Sequence, residues 1–276
     1  MFIMDIHSTA ILNNGVEIPM LGLGAFRLGA GSETVNAVLW ALEVGYRHVD
    51  TAMIYGNERE VGLALKKSPV PREKVFITTK LWNSHHGFDS TLKACDESLS
   101  KLGMDYIDLY LVHWPAEGKR EETWKAIEKL YEGGKCRSIG VSNYTIKHLE
   151  ELSDYAEVVP AVNQVEFSPY LYQKKLLDYC NEHGIKLEAY RSLTKGVKLA
   201  DQRLVEIASR DGKTPAQVLL RWALQHEVII IPKSAHKERI IENSQLFDFK
   251  LSKEDMKLLD SFNENFRTGW DPTEIP

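Results

Sequence analysis

In a chain of 276 residues, Asp50, Tyr55, Lys80 and His113 are the types needed for one reaction. A carbonyl becomes an alcohol when its carbon gains a hydride and its oxygen gains a proton. A tyrosine hydroxyl can give that proton, but a reference pKa of about 10 makes it a poor acid at neutral pH. A buried lysine cation beside the hydroxyl favours phenolate and lowers that pKa. The lysine in turn needs a carboxylate partner if it is to stay charged when buried. Asp50 serving Lys80, and Lys80 serving Tyr55, is that arrangement. His113 adds a hydrogen-bond donor for an oxygen on which negative charge develops. Taken singly, each residue has a plainer use: an Asp at a strand end forms turns or caps helices, a loop Tyr or Lys faces water, and a His can be a satisfied core residue.

Their positions set them apart. Short apolar runs recur at Met20 to Ala25, Arg47 to Thr51, Val75 to Lys80, Ile107 to His113, Arg137 to Ser142, Ala161 to Glu166, Lys186 to Tyr190 and Val228 to Pro232. Between them lie stretches of helical spacing, such as Leu92, Cys95, Leu99 and Leu102. Gly45, Gly103, Gly133 and Gly184 follow such stretches, where a left-handed C-cap is expected. Thr214-Pro215 and Ser252 with Asp255 read as helix starts. Eight strands alternating with helices predict a parallel sheet closed into a (β/α)8 barrel over residues 1–276, a single domain. Ala10 to Leu12 and Val16 to Ile18, joined through Asn13-Asn14-Gly15, predict a β-hairpin that plugs the barrel bottom. In such a barrel the chemistry sits at the C-terminal strand ends, and polar residues appear there on nearly every strand.

Composition narrows the alternatives. A formal charge of −5, with no dense Lys/Arg run, argues against nucleic acid. Cys95, Cys136 and Cys180 show no CxxC spacing and read as reduced, mostly buried thiols. Met1 to His7 lacks the basic start of a signal peptide, and no apolar stretch is long enough to span a membrane. The expectation is a cytoplasmic monomer with no membrane and no metal. His85-His86 near Asp89 lacks metal-ligand spacing, and Gly22-Leu23-Gly24 lacks the third glycine of a dinucleotide fingerprint.

The chain resembles the aldo-keto reductase family over nearly its whole length, in particular its small NADPH-dependent prokaryotic-type members, similar to diketogluconate and aldehyde reductases. The resemblance is carried by Gly45-Tyr46-Arg47-His48-Val49-Asp50-Thr51-Ala52 with Tyr55-Gly56-Asn57-Glu58, by Thr79-Lys80-Leu81-Trp82, and by Leu109-Tyr110-Leu111-Val112-His113-Trp114-Pro115. Ile139-Gly140-Val141-Ser142-Asn143, Asn163-Gln164-Val165-Glu166, and Ile231-Pro232-Lys233-Ser234 with Arg239-Ile240 and Glu242-Asn243 complete it. It implies that Asp50, Tyr55, Lys80 and His113 form a catalytic tetrad with Tyr55 as the acid. It implies that Ser142, Asn143 and Gln164 hold the nicotinamide carboxamide and that Tyr190 stacks on the nicotinamide ring. Lys233, Ser234 and Arg239 would grip the 2′-phosphate of NADPH, with Glu242 and Asn243 on the adenine. Phe26, Trp82 and Trp114 would line an apolar substrate pocket, with Trp270 of the short tail folding over its mouth.

One stretch departs from the family pattern. After the stacking tyrosine the family usually has Ser-Pro-Leu, and here the residues are Arg191-Ser192-Leu193. Either Arg191 adds a charge-assisted contact to the cofactor pyrophosphate, or it points to solvent and Ser192 takes the serine role. The expected function is NADPH-dependent reduction of aldehydes, ketones, dicarbonyls or keto-sugars. The alternatives are a cofactor-binding sensor with little turnover and, ranked last, a metal-dependent barrel hydrolase.

Overall fold

The computed structural model describes residues 4–276. Met1, Phe2 and Ile3, part of the segment read as no signal peptide, lie outside the described residues. The chain opens with an antiparallel hairpin, β1 (Thr9–Ile11) and β2 (Glu17–Pro19), in which Ala10 faces Ile18. The sequence places positive φ on the Asn-Gly pair, but only Gly15 adopts it, at 82°. The turn is a residue longer than a two-residue loop: Gly15 donates to Leu12 O, and Leu12 donates to Val16 O. The hairpin seats on the N-terminal end of the barrel. Asn13 Nδ2 donates to Val159 O and Pro160 O, and Asn14 Nδ2 to Arg137 O.

Eight parallel strands follow: β3 (Leu23–Gly24), β4 (His48–Asp50), β5 (Phe76–Leu81), β6 (Ile107–Val112), β7 (Cys136–Ser142), β8 (Val162–Glu166), β9 (Lys186–Tyr190) and β10 (Ile229–Ile230). Each pairs with its sequence neighbour. The ends meet as well: Leu21 bridges Ile230 in parallel, Gly22 N donates to Ile230 O, and Gly24 N donates to Pro232 O. The two glycines are needed at this seam. A Cβ on Gly22 would lie 2.6 Å from His48 Nδ1, and one on Gly24 2.7 Å from Ile231 O. The Gly-Leu-Gly that fails as a nucleotide fingerprint thus closes the barrel.

The crossovers are α1 (Ser32–Val44), α2 (Glu58–Lys67), α3 (Phe88–Leu102), α4 (Arg120–Glu132), α5 (Ile146–Ser153) and α6 (Lys174–Glu182). Two helices, α7 (Gln202–Arg210) and α8 (Pro215–Gln225), join β9 to β10. Helices α9 (Lys237–Glu242) and α10 (Lys253–Asp260) follow the last strand. Gly45 and Gly103 end α1 and α3 in the left-handed region, as their positions predict, and Gly184 also has positive φ. Gly133 differs: its φ is −74°, and the left-handed residue is Gly134. Thr214 and Gln217 form a reciprocal capping box at α8, and Ser252 accepts from Asp255 N at α10. Strands buried on both faces need apolar side chains inside and out. Accordingly Ile77, Leu109, Leu111 and Val141 are all inaccessible to water. The three cysteines are free and buried. Among the described residues no helix is long and apolar enough to cross a membrane.

Candidate active site

The C-terminal strand ends converge on one rim. Asp50 ends β4, and the chain then makes a short 3-10 turn, Met53–Tyr55, closed by Gly56 at φ 70°. Asn57 fixes this turn by accepting from Thr51 Oγ1 at 2.7 Å and donating to Ala25 O at 2.9 Å. Lys80 projects from near the C-terminal end of β5 and is wholly buried. Its ammonium donates to both Asp50 oxygens at 2.7 Å and to Thr51 O at 2.9 Å, and it lies 3.4 Å from the Tyr55 hydroxyl. The ordering Asp50, Lys80, Tyr55 therefore exists as a chain of contacts.

The electrostatics differ from the simplest expectation. Lys80 was expected to lower the Tyr55 pKa, yet the phenol is held well above its ordinary range. Burial is the main cause, the Asp50 and Glu188 carboxyls add to it, and the cation that opposes them is Arg191. Asp50 holds the Lys80 ammonium by both oxygens, so its charge offsets that of the lysine. His113, just after β6, is also buried, and burial followed by the Lys80 charge holds its pKa well below the ordinary value. It is a neutral imidazole at physiological pH, and its Nδ1 has no protein partner.

Aromatic rings wall the opening above these groups. Phe26 lies 5.0 Å from the Tyr55 ring and Trp82 lies 5.2 Å from the His113 ring, centroid to centroid. Trp270 of the C-terminal tail reaches within 6.5 Å of Trp82 and 5.6 Å of Trp114. The tail does fold over the rim. Trp270 keeps 68% of its surface exposed, so the cleft stays open on that side.

On the opposite wall, Ser142 ends β7 and Asn143 follows it. Asn143 has φ 64°, a left-handed conformation that Asn tolerates better than most residues. That twist lets its side chain donate to His113 O and Ser142 Oγ and accept from the Tyr190 hydroxyl at 2.6 Å. Gln164 on β8 gives its Nε2 to Asp50 Oδ2 and to Glu188 Oε2, both at 2.8 Å. Only its carbonyl oxygen is left for anything else. Beyond β10, Lys233 and Arg239 are exposed and, among the described residues, ion-paired to no carboxylate. Ser234 Oγ accepts from His236 N, Glu242 accepts from Thr214 Oγ1, and Asn243 is buried beside them.

Of the two routes read from the sequence, Arg191 does not take the solvent-facing one. It has φ 55°, is mostly covered, and lies 3.5 Å from Glu166 Oε2 and 6.0 Å from the centre of the Phe26 ring. Ser192 is buried with Oγ near Ala189 O, Leu193 is half-buried, and a 3-10 turn at Thr194–Gly196 leads toward α7. Two carboxylates escaped the sequence reading. Glu166 anchors the tail by accepting from Thr268 N, Thr268 Oγ1 and Gly269 N. Glu188 lies wholly buried inside the barrel. The signal for Glu188 was available: it shares the inward period of β9 with Tyr190, where an apolar residue is the usual occupant.

The Aldo/keto reductase family model matches residues 20–264. This chain belongs to the aldo/keto reductase family. It is 51% identical over 271 residues to the glyoxal reductase of Bacillus subtilis (strain 168), covering 98% of each chain. Among solved structures, MGS-M4, an aldo-keto reductase enzyme from a Medee basin deep-sea metagenome library, superimposes with a TM-score of 0.94 at 46% identity, over 97% of this chain and 99% of that one. The Bombyx mori aldo-keto reductase in complex with NADP gives 0.87 at 38% identity, over 94% of each. The reductase barrel expected from the sequence is therefore the fold observed.

Proposed function

We propose that this aldo/keto reductase reduces aldehydes, ketones and dicarbonyls, keto-sugars included, to alcohols with NADPH, Tyr55 giving the proton. The observation that carries this reading is the contact chain from Asp50 through Lys80 to Tyr55, set under an aromatic cleft beside neutral His113. Glyoxal, named for the Bacillus relative, is a dicarbonyl, which supports including that class.

The rim fits a phosphorylated nicotinamide dinucleotide. Lys233 and Arg239 are cations without carboxylate partners among the described residues, which leaves them free for a 2′-phosphate. Ser142, Asn143 and the free oxygen of Gln164 present the polar groups that a carboxamide pairs with, and the Tyr190 ring is fixed by Asn143 to lie under a flat ring. Ser234, Glu242 and Asn243 belong to the adenosine end, and Arg191, Ser192 and Leu193 to the loop beside it. When bound, NADPH supplies the hydride.

The chain itself orients the carbonyl and delivers the proton. A neutral His113 keeps an N–H for the carbonyl oxygen and competes for no proton at neutral pH. Tyr55, with its raised pKa, stays loaded with its proton. Lys80, 3.4 Å away, stabilises the phenolate only as it forms, so its effect falls on the transition state. Phe26, Trp82 and Trp114 give the reacting face apolar walls, with Trp270 at its open side.

The test is oxidation of NADPH and of NADH over a panel of aldehydes, ketones and dicarbonyls, with EDTA present. Turnover that prefers NADPH is expected. Tight NADPH binding with no turnover across the panel would transfer the site to a cofactor-sensing role.

A further inference from the structure

Below the tetrad lies a second buried carboxylate that the mechanism has not used. Glu188, in the middle of β9, is inaccessible to water. Its Oε2 accepts from Gln164 Nε2 at 2.8 Å, and the same amide nitrogen donates to Asp50 Oδ2 at the same distance. One amide therefore ties two carboxyls together. Its other oxygen, Oε1, makes no hydrogen bond and faces His48 Nε2 at 3.6 Å.

The surrounding elements contain too little positive charge for two carboxylates. From β4 the groups facing Glu188 are Asp50 and His48, and from β5 they are Lys80 and the hydroxyl of Thr78 on His48. From β8 it meets Gln164, and on β10 its pairing partner is Ile229, an apolar residue. Lys80 is the sole fixed cation of this set, and Asp50 already holds it in a two-oxygen contact. His48 is uncharged: burial and then the Lys80 charge push its pKa down to about 3. An ionised Glu188 would thus be a buried anion without a partner, which is costly. Burial, then the Asp50 charge, pushes its pKa up to about 8.

We propose that Glu188 is a positioning residue of this reductase site: in its protonated form it shares Gln164 with Asp50 and leaves Lys80 to Asp50, and its ionisation sets a second buried negative charge beside that pair and weakens Tyr55 as an acid. The inference rests on the proposed reductase reading. The link to Tyr55 is through charge, since the Glu188 carboxylate adds to the factors that disfavour the phenolate. Gln164 holds the two carboxyls close enough for that charge to act, giving one N–H to each. Reduction should therefore have an alkaline limit set by Glu188 as well as by the tyrosine.

Two measurements decide it. The first is the pH profile of kcat for carbonyl reduction in wild type, Glu188→Gln and Glu188→Asp. Wild-type kcat is expected to fall above an inflection near the pKa of about 8. In Glu188→Gln, which cannot ionise, the inflection should move up by about one pH unit or more, and Glu188→Asp should restore a limb. The profile's shape is the readout, so a uniform loss of rate does not count in favour. An unmoved inflection in Glu188→Gln overturns the proposal.

The second measurement is independent of turnover: the infrared C=O band of a protonated carboxylic acid, followed from pH 6 to 10. A band lost with a midpoint near pH 8 in wild type, and missing from Glu188→Gln, is expected. A wild type without that band overturns the proposal even if the variant does not fold. If the band titrates as expected but nothing on the carbonyl panel is reduced, the reductase reading fails, and the proposed control of Tyr55 falls with it.

Discussion

A tyrosine hydroxyl is a weak acid in water, and burial weakens it further. At Tyr55 this has a use. A phenol held well above its ordinary range keeps its proton until charge develops on a neighbouring oxygen, and the Lys80 ammonium 3.4 Å away then favours the phenolate being formed. Replacing Tyr55 by Phe removes the acid and keeps the ring against Phe26 and His113. The expected outcome is a fall in kcat of about a hundredfold or more. The dissociation constant for NADPH, read by fluorescence titration, should change by about threefold at most. Retention of most of the rate would reassign the proton to another donor, with His113 next in reach. These residues stand out in the sequence because each ends or follows an apolar run. The pKa direction at Tyr55 does not stand out, because it depends on which oxygens surround Lys80.

At the scale of elements, the end of β8 and the loop after β9 together hold the C-terminal tail. Glu166 takes three hydrogen bonds from Thr268 and Gly269, and Lys195 Nζ donates to Thr268 O at 2.7 Å. A Cβ on Gly269 would lie 2.3 Å from Arg191 Nη1, so a side chain there would displace the end of the arginine. The tail that carries Trp270 therefore packs beside the same arginine that departs from the family pattern. Glu166→Gln turns an acceptor-only carboxylate into a group with an N–H facing other donors, and leaves Arg191 without its partner. Each lost buried hydrogen bond of this kind costs about 1–3 kcal/mol. Backbone amides of residues 267–271 are expected to exchange faster with deuterium in this variant, while those of β5 and β6 are unchanged. Identical exchange in the tail would mean that the aromatic contacts of Trp270 hold it by themselves. This anchoring joins residues about a hundred positions apart, so no local pattern announces it.

For the whole molecule, the buried titratable groups shape stability against pH. His48, pushed down to about 3, His86, pushed down to about 4, and His113 and His148, also lowered, bind fewer protons folded than unfolded. Stability from these rings is present above their ordinary pKa of 6.5 and is lost as pH falls below it. Glu188, raised to about 8 from 4.5, works the other way. Its protonated form is favoured in the fold, so stability falls as pH rises from the ordinary carboxyl range through about 8. The melting temperature should therefore pass through a maximum at about pH 6 to 7. Scanning calorimetry from pH 4.5 to 9 checks this. A melting temperature that still climbs between pH 7 and 9 would contradict it, and Glu188→Gln should flatten the alkaline side alone.

The order of strands, the hairpin under the barrel and the family were legible in the chain, because each rests on local chemistry. Apolar runs of strand length make buried parallel strands, Gly15 and Gly45 sit where only positive φ serves, and the motifs around Asp50, Lys80 and His113 are contiguous. Where local rules compete, the sequence was off by a residue, as with Gly133 and Gly134, whose difference in φ follows from how α4 ends against β7. What only the tertiary structure decided is charge and coverage. Whether Gln164 bridges Asp50 to Glu188, whether Arg191 faces water or Glu166, and how the tail meets Trp82 depend on groups from distant strands brought within a few ångströms. Electrostatic energy in a buried site is a sum over those neighbours, and a sequence orders residues along the chain without ordering them around a point.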